Sequence, residues 1–134
     1  MINEIAEILA ARSLKTAYPL ELPTMDDIVE AHEAMLISVP ADFRGYLLHS
    51  SNCIYGRLEP VTVADRNSHT YLPEVAAEAW SRGMPREMIP LCVDGDNVYC
   101  VAEDGEVFLW EGDDDMESVA EDVWQWVRDV WLES

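Results

Sequence analysis

Apolar positions along the chain change their period several times, and each change marks an element. Ile2, Ile5, Ile8 and Leu9 recur at helical spacing with Glu4 and Glu7 between them, which predicts a short amphipathic helix over residues 2–14. The stretch Tyr18-Pro-Leu-Glu-Leu-Pro23 interrupts it with two prolines. Thr24 then stands three residues ahead of Asp27, a capping arrangement, and Ile28, Ala31, Met35 and Leu36 form the buried stripe of a second helix. Val39 to Leu48 opens a third. Pro40 suits a first turn, where its missing N–H leaves nothing unpaired, and Asp42 lies where the helix dipole favours negative charge. Gly45 weakens that helix unless something packs closely on it. Tyr55, Leu58, Val61 and Val63 alternate loosely, predicting one or two strands with an edge or kink at Pro60. Pro73 to Arg82 is helical, with Val75, Ala76, Ala79 and Trp80 on one face, Gly83 at its end and Pro85 beyond.

The stretch from Met88 to Trp110 organises the rest. It reads as three short strands joined by turns at Asp94-Gly95-Asp96-Asn97 and Asp104-Gly105, since glycine takes positive φ without a Cβ clash. A two-residue loop at Asp104-Gly105 would set Ala102 opposite Val107, Val101 opposite Phe108, Cys100 opposite Leu109 and Tyr99 opposite Trp110. One face would then carry Cys100, Leu109, Ala102 and Val107, and the other Tyr99, Trp110, Val101 and Phe108. Both faces are apolar, so both need a cover, which helices at either end of the chain would supply.

After Trp110 comes the acidic run Glu111-Gly-Asp-Asp-Asp-Met-Glu117, and then a strongly periodic segment. Ser118 and Glu121 fit a capping box. On a helix, Val119, Ala120, Val123, Trp124, Trp126, Val127, Val130 and Trp131 project within an arc of roughly 160° at about 100° per residue. Such a tryptophan stripe belongs in a core. The predicted fold is α+β: an antiparallel sheet, a hairpin or meander near 88–111, packed with N-terminal helices and a C-terminal amphipathic helix. Neither a repeat nor a long linker divides residues 1–134, so one domain is expected.

Charge changes this picture most. The 134 residues hold 27 acidic and 8 basic side chains, for a net −19. From Glu87 onward there are 15 acidic residues against Arg128 alone, a net −14, whereas the first 86 residues hold 12 against 7, a net −5. Such a field repels nucleic acid and anionic membranes and steers cationic partners inward. The chain opens without a hydrophobic leader and its apolar runs are short, which predicts a soluble, cytoplasmic protein, a monomer or weak dimer. Cys53, Cys92 and Cys100 are odd in number and widely spaced, and are expected to be reduced and buried rather than bridged or metal-bound.

Candidate chemistry is sparse. Asp42, His49 and Cys53 are the only grouping that resembles an acid, a base and a nucleophile, and nothing in their spacing puts the thiol in reach of the imidazole. His32 has no second ligand at the next helical turn and reads as a packed helix residue. Asp113-Asp114-Asp115 lacks the alternation of a calcium loop, and Asp94-Gly-Asp-Asn97 is too short for one. No catalytic residue, cofactor or metal is expected.

Two stretches carry a resemblance. VPADFRGYLL, Val39 to Leu48, resembles the Leu-Pro-x-Asp-Tyr-x-x-Phe-Leu helix that opens the SUKH superfamily domain in its Smi/Knr branch. Met84 to Trp110 resembles that family's Ile-Pro-Phe strand, its Tyr-Cys strand and its glycine-containing hairpin, and the segment from Ser118 is similar to its closing helix. Where the family has Asn-Gly after its first helix, this chain has Ser50-Ser51-Asn52-Cys53. The resemblance implies binding rather than catalysis. Bacterial members are immunity proteins that neutralise a toxin, often a nuclease, while fungal relatives act in cell-wall regulation through protein contacts.

The expectation is therefore an immunity protein that occludes a basic toxin domain through an acidic, partly aromatic surface. The residues that would form it are Asp94, Asp96, Glu103, Asp104 and Glu106 in the turns, Asp113, Asp114 and Asp115 beyond them, and Tyr99 and Trp110 as aromatic anchors. The alternative is an intracellular regulatory or scaffolding module with no toxin partner.

Overall fold

The computed structural model describes residues 3–15, 20–112 and 116–134. Ile2, Tyr18, Pro19 and Asp113–Asp115 lie outside the described residues.

Helix α1 runs Glu4–Arg12 and begins there because the Asn3 side chain accepts from the Ile5 and Ala6 N–H groups at 2.9 and 3.3 Å. Helix α2, Met25–Met35, carries the expected capping box: Thr24 Oγ1 accepts from the Asp27 N–H and the Asp27 carboxylate from the Thr24 N–H. Helix α3, Ala41–Ser50, starts after Pro40, and α4, Leu72–Ser81, holds proline in its first turn. The antiparallel sheet is a meander of β1 (Ile89–Asp94), β2 (Asn97–Val101), β3 (Val107–Trp110) and β4 (Met116–Ala120) in sequential order. The chain closes with α5, Val123–Trp126, which continues as a π-helical turn over Val127–Trp131.

The first hairpin has a two-residue loop, with Asp94 opposite Asn97 and Gly95 at φ 63°. The second does not. The Gly105 N–H donates to the Ala102 carbonyl and the Ala102 N–H to the Glu106 carbonyl, so the loop is Glu103-Asp104-Gly105, with Gly105 at φ 96°. Relative to a two-residue loop the register slips by one: Val98 faces Trp110, Tyr99 faces Leu109, Cys100 faces Phe108 and Val101 faces Val107. Because side chains alternate with period two, every β3 residue moves to the opposite face from the one expected.

One face now carries Val98, Cys100 and Trp110, packed with Ala79, Met84 and Met88 from α4 and the segment that follows it. The other carries Val101 and Val107 and meets the larger core of α1, α2, α3 and the closing helix. The cover thus comes from both ends of the chain on one face and from its middle on the other.

Four expectations need correction. Met116–Ala120 is a strand, not the start of a helix, because pairing with β3 satisfies a row of backbone groups that an early helix would leave bare. Ser118 accordingly donates its hydroxyl to Glu106, and Asp122 is the helix cap, accepting from the Gln125 N–H at 2.9 Å. The region 55–63 makes only isolated bridges, Pro60 to Cys92 and Thr62 to Tyr71. Pro60 lacks a donor, and the Thr62 hydroxyl accepts from the Ala64 N–H instead of leaving the strand regular. Leu36 lies outside the buried stripe of α2. It is a left-handed C-cap at φ 59°, donating its N–H to the His32 carbonyl, and is 85% exposed. Trp124 is half-buried rather than core, its ring edge against Tyr46.

The π turn has a packing reason. Winding with a Leu132 N–H to Val127 carbonyl bond (2.8 Å) brings Trp126 and Trp131, five residues apart, onto one side with ring centroids 6.2 Å apart. Trp131 Nε1 donates to the Tyr55 carbonyl (2.9 Å) and the Tyr55 hydroxyl to the Leu132 carbonyl (3.0 Å), which fastens this end of the chain to the segment after α3.

Candidate functional site

The turns of a meander alternate between its two ends, and this divides the expected acidic surface. Asp94 and Asp96 close the β1–β2 hairpin at one end. Glu103, Asp104 and Glu106 sit at the other, separated from them by the length of β2, roughly 17 Å for five residues. The structure does not bring the two groups together. Asp94 is held by Arg57, whose guanidinium reaches both carboxylate oxygens at 2.7 and 3.3 Å. Asp96 has an exposed side chain, while its carbonyl accepts from Arg82. Asp104 accepts from the Glu106 N–H at 3.0 Å, a local turn bond.

The two aromatic candidates behave differently. Tyr99 is half-buried with its ring edge on Trp126, centroids 5.4 Å apart, and burial pushes its phenol upward. Trp110 is 1% exposed, so it is core and not a surface anchor. The register slip is the reason: it turned Trp110 onto the Val98 and Cys100 face, under Met84 and Met88.

At the Glu103 end a groove of about 390 Å³ is lined by Ile37, Val39, Pro40, Ile89, Glu87 and Glu103. Its first wall is the connection between α2 and α3, ordered by His32, whose Nε2 accepts from the Val39 N–H at 3.1 Å. An accepting nitrogen must be unprotonated. Partial burial, and then the nearby Arg44 charge, hold the imidazole below its ordinary value.

A larger cleft of about 500 Å³ opens between the connections flanking Pro60 and Asp65, with Glu21, Glu59 and Asp65 at its edge. Its hydroxyls are engaged internally: Ser51 donates to the Leu47 carbonyl, Thr62 to Ser51, and Ser68 shares a proton with Thr70. His69 Nε2 meets Glu59 at 2.8 Å, and both are exposed. Cys53 lines this cleft and a neighbouring depression that also contains His49. Among the described residues no hydrogen bond joins Cys53 to His49, and burial raises the thiol despite a bond with Ser13. Asp42 is exposed on α3. A nucleophile needs its thiolate stabilised, and here the surroundings do the reverse. Cys92 and Cys100 are buried and pushed up to about 12, and all three cysteines are free thiols.

Among the described residues no group of three His, Cys, Asp or Glu side chains is placed to hold a metal, and no helix is long and apolar enough to cross a membrane. Leu36, Glu87 and Arg57 join the surface without being expected there: Leu36 is 85% exposed, Glu87 lines the groove beside Glu103, and Arg57 pairs with Asp94. For Leu36 there was a signal: Ile28, Ala31 and Met35 already complete a one-sided stripe, and no glycine follows to take the left-handed position.

Comparison with known proteins agrees with this architecture. No protein of curated function matches the chain. A crystal structure of a protein from Pseudomonas syringae pv. tomato is 50% identical, with a TM-score of 0.90 over 98% of each chain. Residues 2–132 match the family described as SMI1-KNR4 cell-wall, SUKH_5, and the chain belongs to that family, whose domains are known as a toxin-immunity type.

Proposed function

We propose that this protein is an immunity protein that binds and neutralises a cognate toxin domain, of basic and nuclease type, by occupying its cationic cleft. The observation that carries the reading is the concentration of charge in the sheet half, net −14 from Glu87 onward, on a family scaffold of the immunity type. A nuclease must attract phosphates, so its cleft is positive, and an acidic protein is drawn into the same field at rates up to about 10⁸–10⁹ M⁻¹s⁻¹ at low salt. In this reading the partner-facing residues are Asp96, Glu103, Asp104 and Glu106, with Asp94 and Tyr99 beside them. The thiols and carboxylates have no catalytic task.

The test is co-purification with a basic nuclease domain encoded beside the gene, followed by association kinetics against ionic strength and protection of cells expressing that domain. Tight binding whose on-rate falls with salt, together with protection, supports the reading. Full toxicity in the presence of the protein would falsify it. The family's cell-wall description favours a second reading, an intracellular regulatory or scaffolding module. Loss of wall integrity on deletion, in a strain without a neighbouring toxin gene, would select that reading.

A further inference from the structure

Among the described residues, three of the eight exposed large apolar side chains fall on α2 and its cap. Met25, Val29 and Leu36 are 51%, 47% and 85% exposed, and half-buried His32 lies between the last two. Met25, Val29 and His32 follow one another at four and three residues along one face of α2, and Leu36 stands at its left-handed cap just past the helix end, so the seam is about 16 Å long. The buried stripe of the same helix, Ile28, Ala31 and Met35, is a separate set about a quarter turn away. The seam therefore duplicates, on the outside, the pattern that holds α2 to the core.

Leu36 sharpens the point. A left-handed backbone disfavours any side chain with a Cβ, and glycine is the usual occupant of such a cap. Here the position holds leucine, with its side chain almost wholly in solvent. The cap bond to the His32 carbonyl holds the turn, and among the described residues the leucine side chain is left uncovered.

Charge decides what covers the seam. Asp26, Glu30 and Glu33 run along one side, and α2 carries no lysine or arginine. Beyond Leu36, the next residue, Ile37, enters the groove that holds Glu87 and Glu103. Three cations lie nearby: Arg66 pairs with Glu30, Arg86 donates to the Met35 carbonyl with its guanidinium 3.6 Å from the Trp80 ring, and Arg44 is close enough to His32 to depress its imidazole. A second copy of the chain would set one acidic α2 against another. We infer that the Met25–Val29–His32–Leu36 seam is the docking site for a basic amphipathic helix of a protein partner. Its apolar side chains pack on Met25, Val29 and Leu36, and one lysine or arginine reaches the Glu87–Glu103 groove. The inference rests on the reading that this protein grips a cationic partner, and it places the anchor on α2 rather than on the sheet turns.

The probe is a synthetic helical peptide with leucines at alternating three- and four-residue spacing and lysines beside them. Its controls are a scramble of equal charge and a version with glutamates replacing the lysines. Binding is read by fluorescence anisotropy against wild type, Val29→Gln, Leu36→Gly and a charge-matched control on exposed positions of α1, Glu4→Gln with Glu7→Gln. The expected result is binding of the lysine peptide alone, weakened about tenfold or more by either seam substitution and less than about threefold by the α1 pair. Leu36→Gly keeps or raises the melting temperature, since glycine relieves the backbone. Equal binding of the scramble, equal loss in the α1 variant, a clear fall in melting temperature for Leu36→Gly, or a wild-type dimer dissolved by these substitutions would each overturn the proposal. A toxin that binds both seam variants as tightly as wild type sinks the seam and leaves the immunity reading standing. Peptide binding with no toxin neutralised does the opposite.

Discussion

Trp126 and Trp131 offer a matched pair for measuring one hydrogen bond. Both are fully buried, both lie on the closing helix, and their rings touch. Changing either to phenylalanine deletes the same atoms and leaves a similar cavity, so the transfer and packing losses nearly cancel between the two variants. The polar consequences are opposite. Trp131→Phe removes the donor to the Tyr55 carbonyl, a bond of 2.9 Å, and leaves that oxygen unpaired, a loss of about 1–3 kcal/mol. Among the described residues Trp126 Nε1 has no hydrogen-bond partner, so Trp126→Phe removes a desolvated donor and recovers about 1–3 kcal/mol. Trp131→Phe should therefore be the more destabilising by about 2–6 kcal/mol. At roughly 3–5 °C per kcal/mol for a chain of this size, the two melting temperatures should separate by about 6–30 °C. Urea denaturation with unchanged m-values gives the free energies directly. If the variants agree within about 0.5 kcal/mol, or Trp126→Phe is the weaker protein, the assignment of these two indole groups is wrong.

Two glycines should respond in opposite directions to alanine. At Gly45 an added Cβ meets only Trp124, at 4.0 Å, so Gly45→Ala should raise stability by about 0.5–1 kcal/mol in denaturant titration. At Gly56, φ 56° and Ser134 atoms 2.3 and 3.1 Å from the new Cβ predict a loss of at least about 1 kcal/mol by the same assay. The lowered pKa of His32 makes the unfolded chain the stronger proton binder near and below pH 6.5. Stability should hold above that value and fall as the pH drops toward the lower folded pKa, and His32→Gln should flatten that part of the profile in pH-dependent melting. A chromogenic disulfide reagent should modify native protein at Cys53 first and slowly. Cys92 and Cys100 should react only on unfolding, because burial suppresses both access and thiolate.

Much of the candidate surface was legible only as composition. The acidic turns were visible because Asp-Gly pairs mark hairpins locally, and the charge skew is a count. Their division between opposite ends of the sheet follows from the meander, and the exposure of Leu36 from how α2 lies on the core, neither of which is local. Trp110 shows the same limit. Whether an aromatic in a strand is anchor or core depends on register, and register depended on a loop of three residues instead of two.

The chain's own pattern determined the four leading helices, the Thr24 cap, the hairpin stretch from Ile89 to Trp110 and the free, buried condition of Cys92 and Cys100. Each of these rests on interactions within a few residues or on plain hydrophobicity. Tertiary structure alone decided that Met116–Ala120 became a strand, that the closing helix wound as a π turn, and that Trp110 went inward while Leu36 stayed outside. In each case a segment had two locally acceptable states. The choice fell to partners distant in sequence: the open edge of β3, the space between Tyr55 and Tyr99, and the face of the sheet left for α4 to cover.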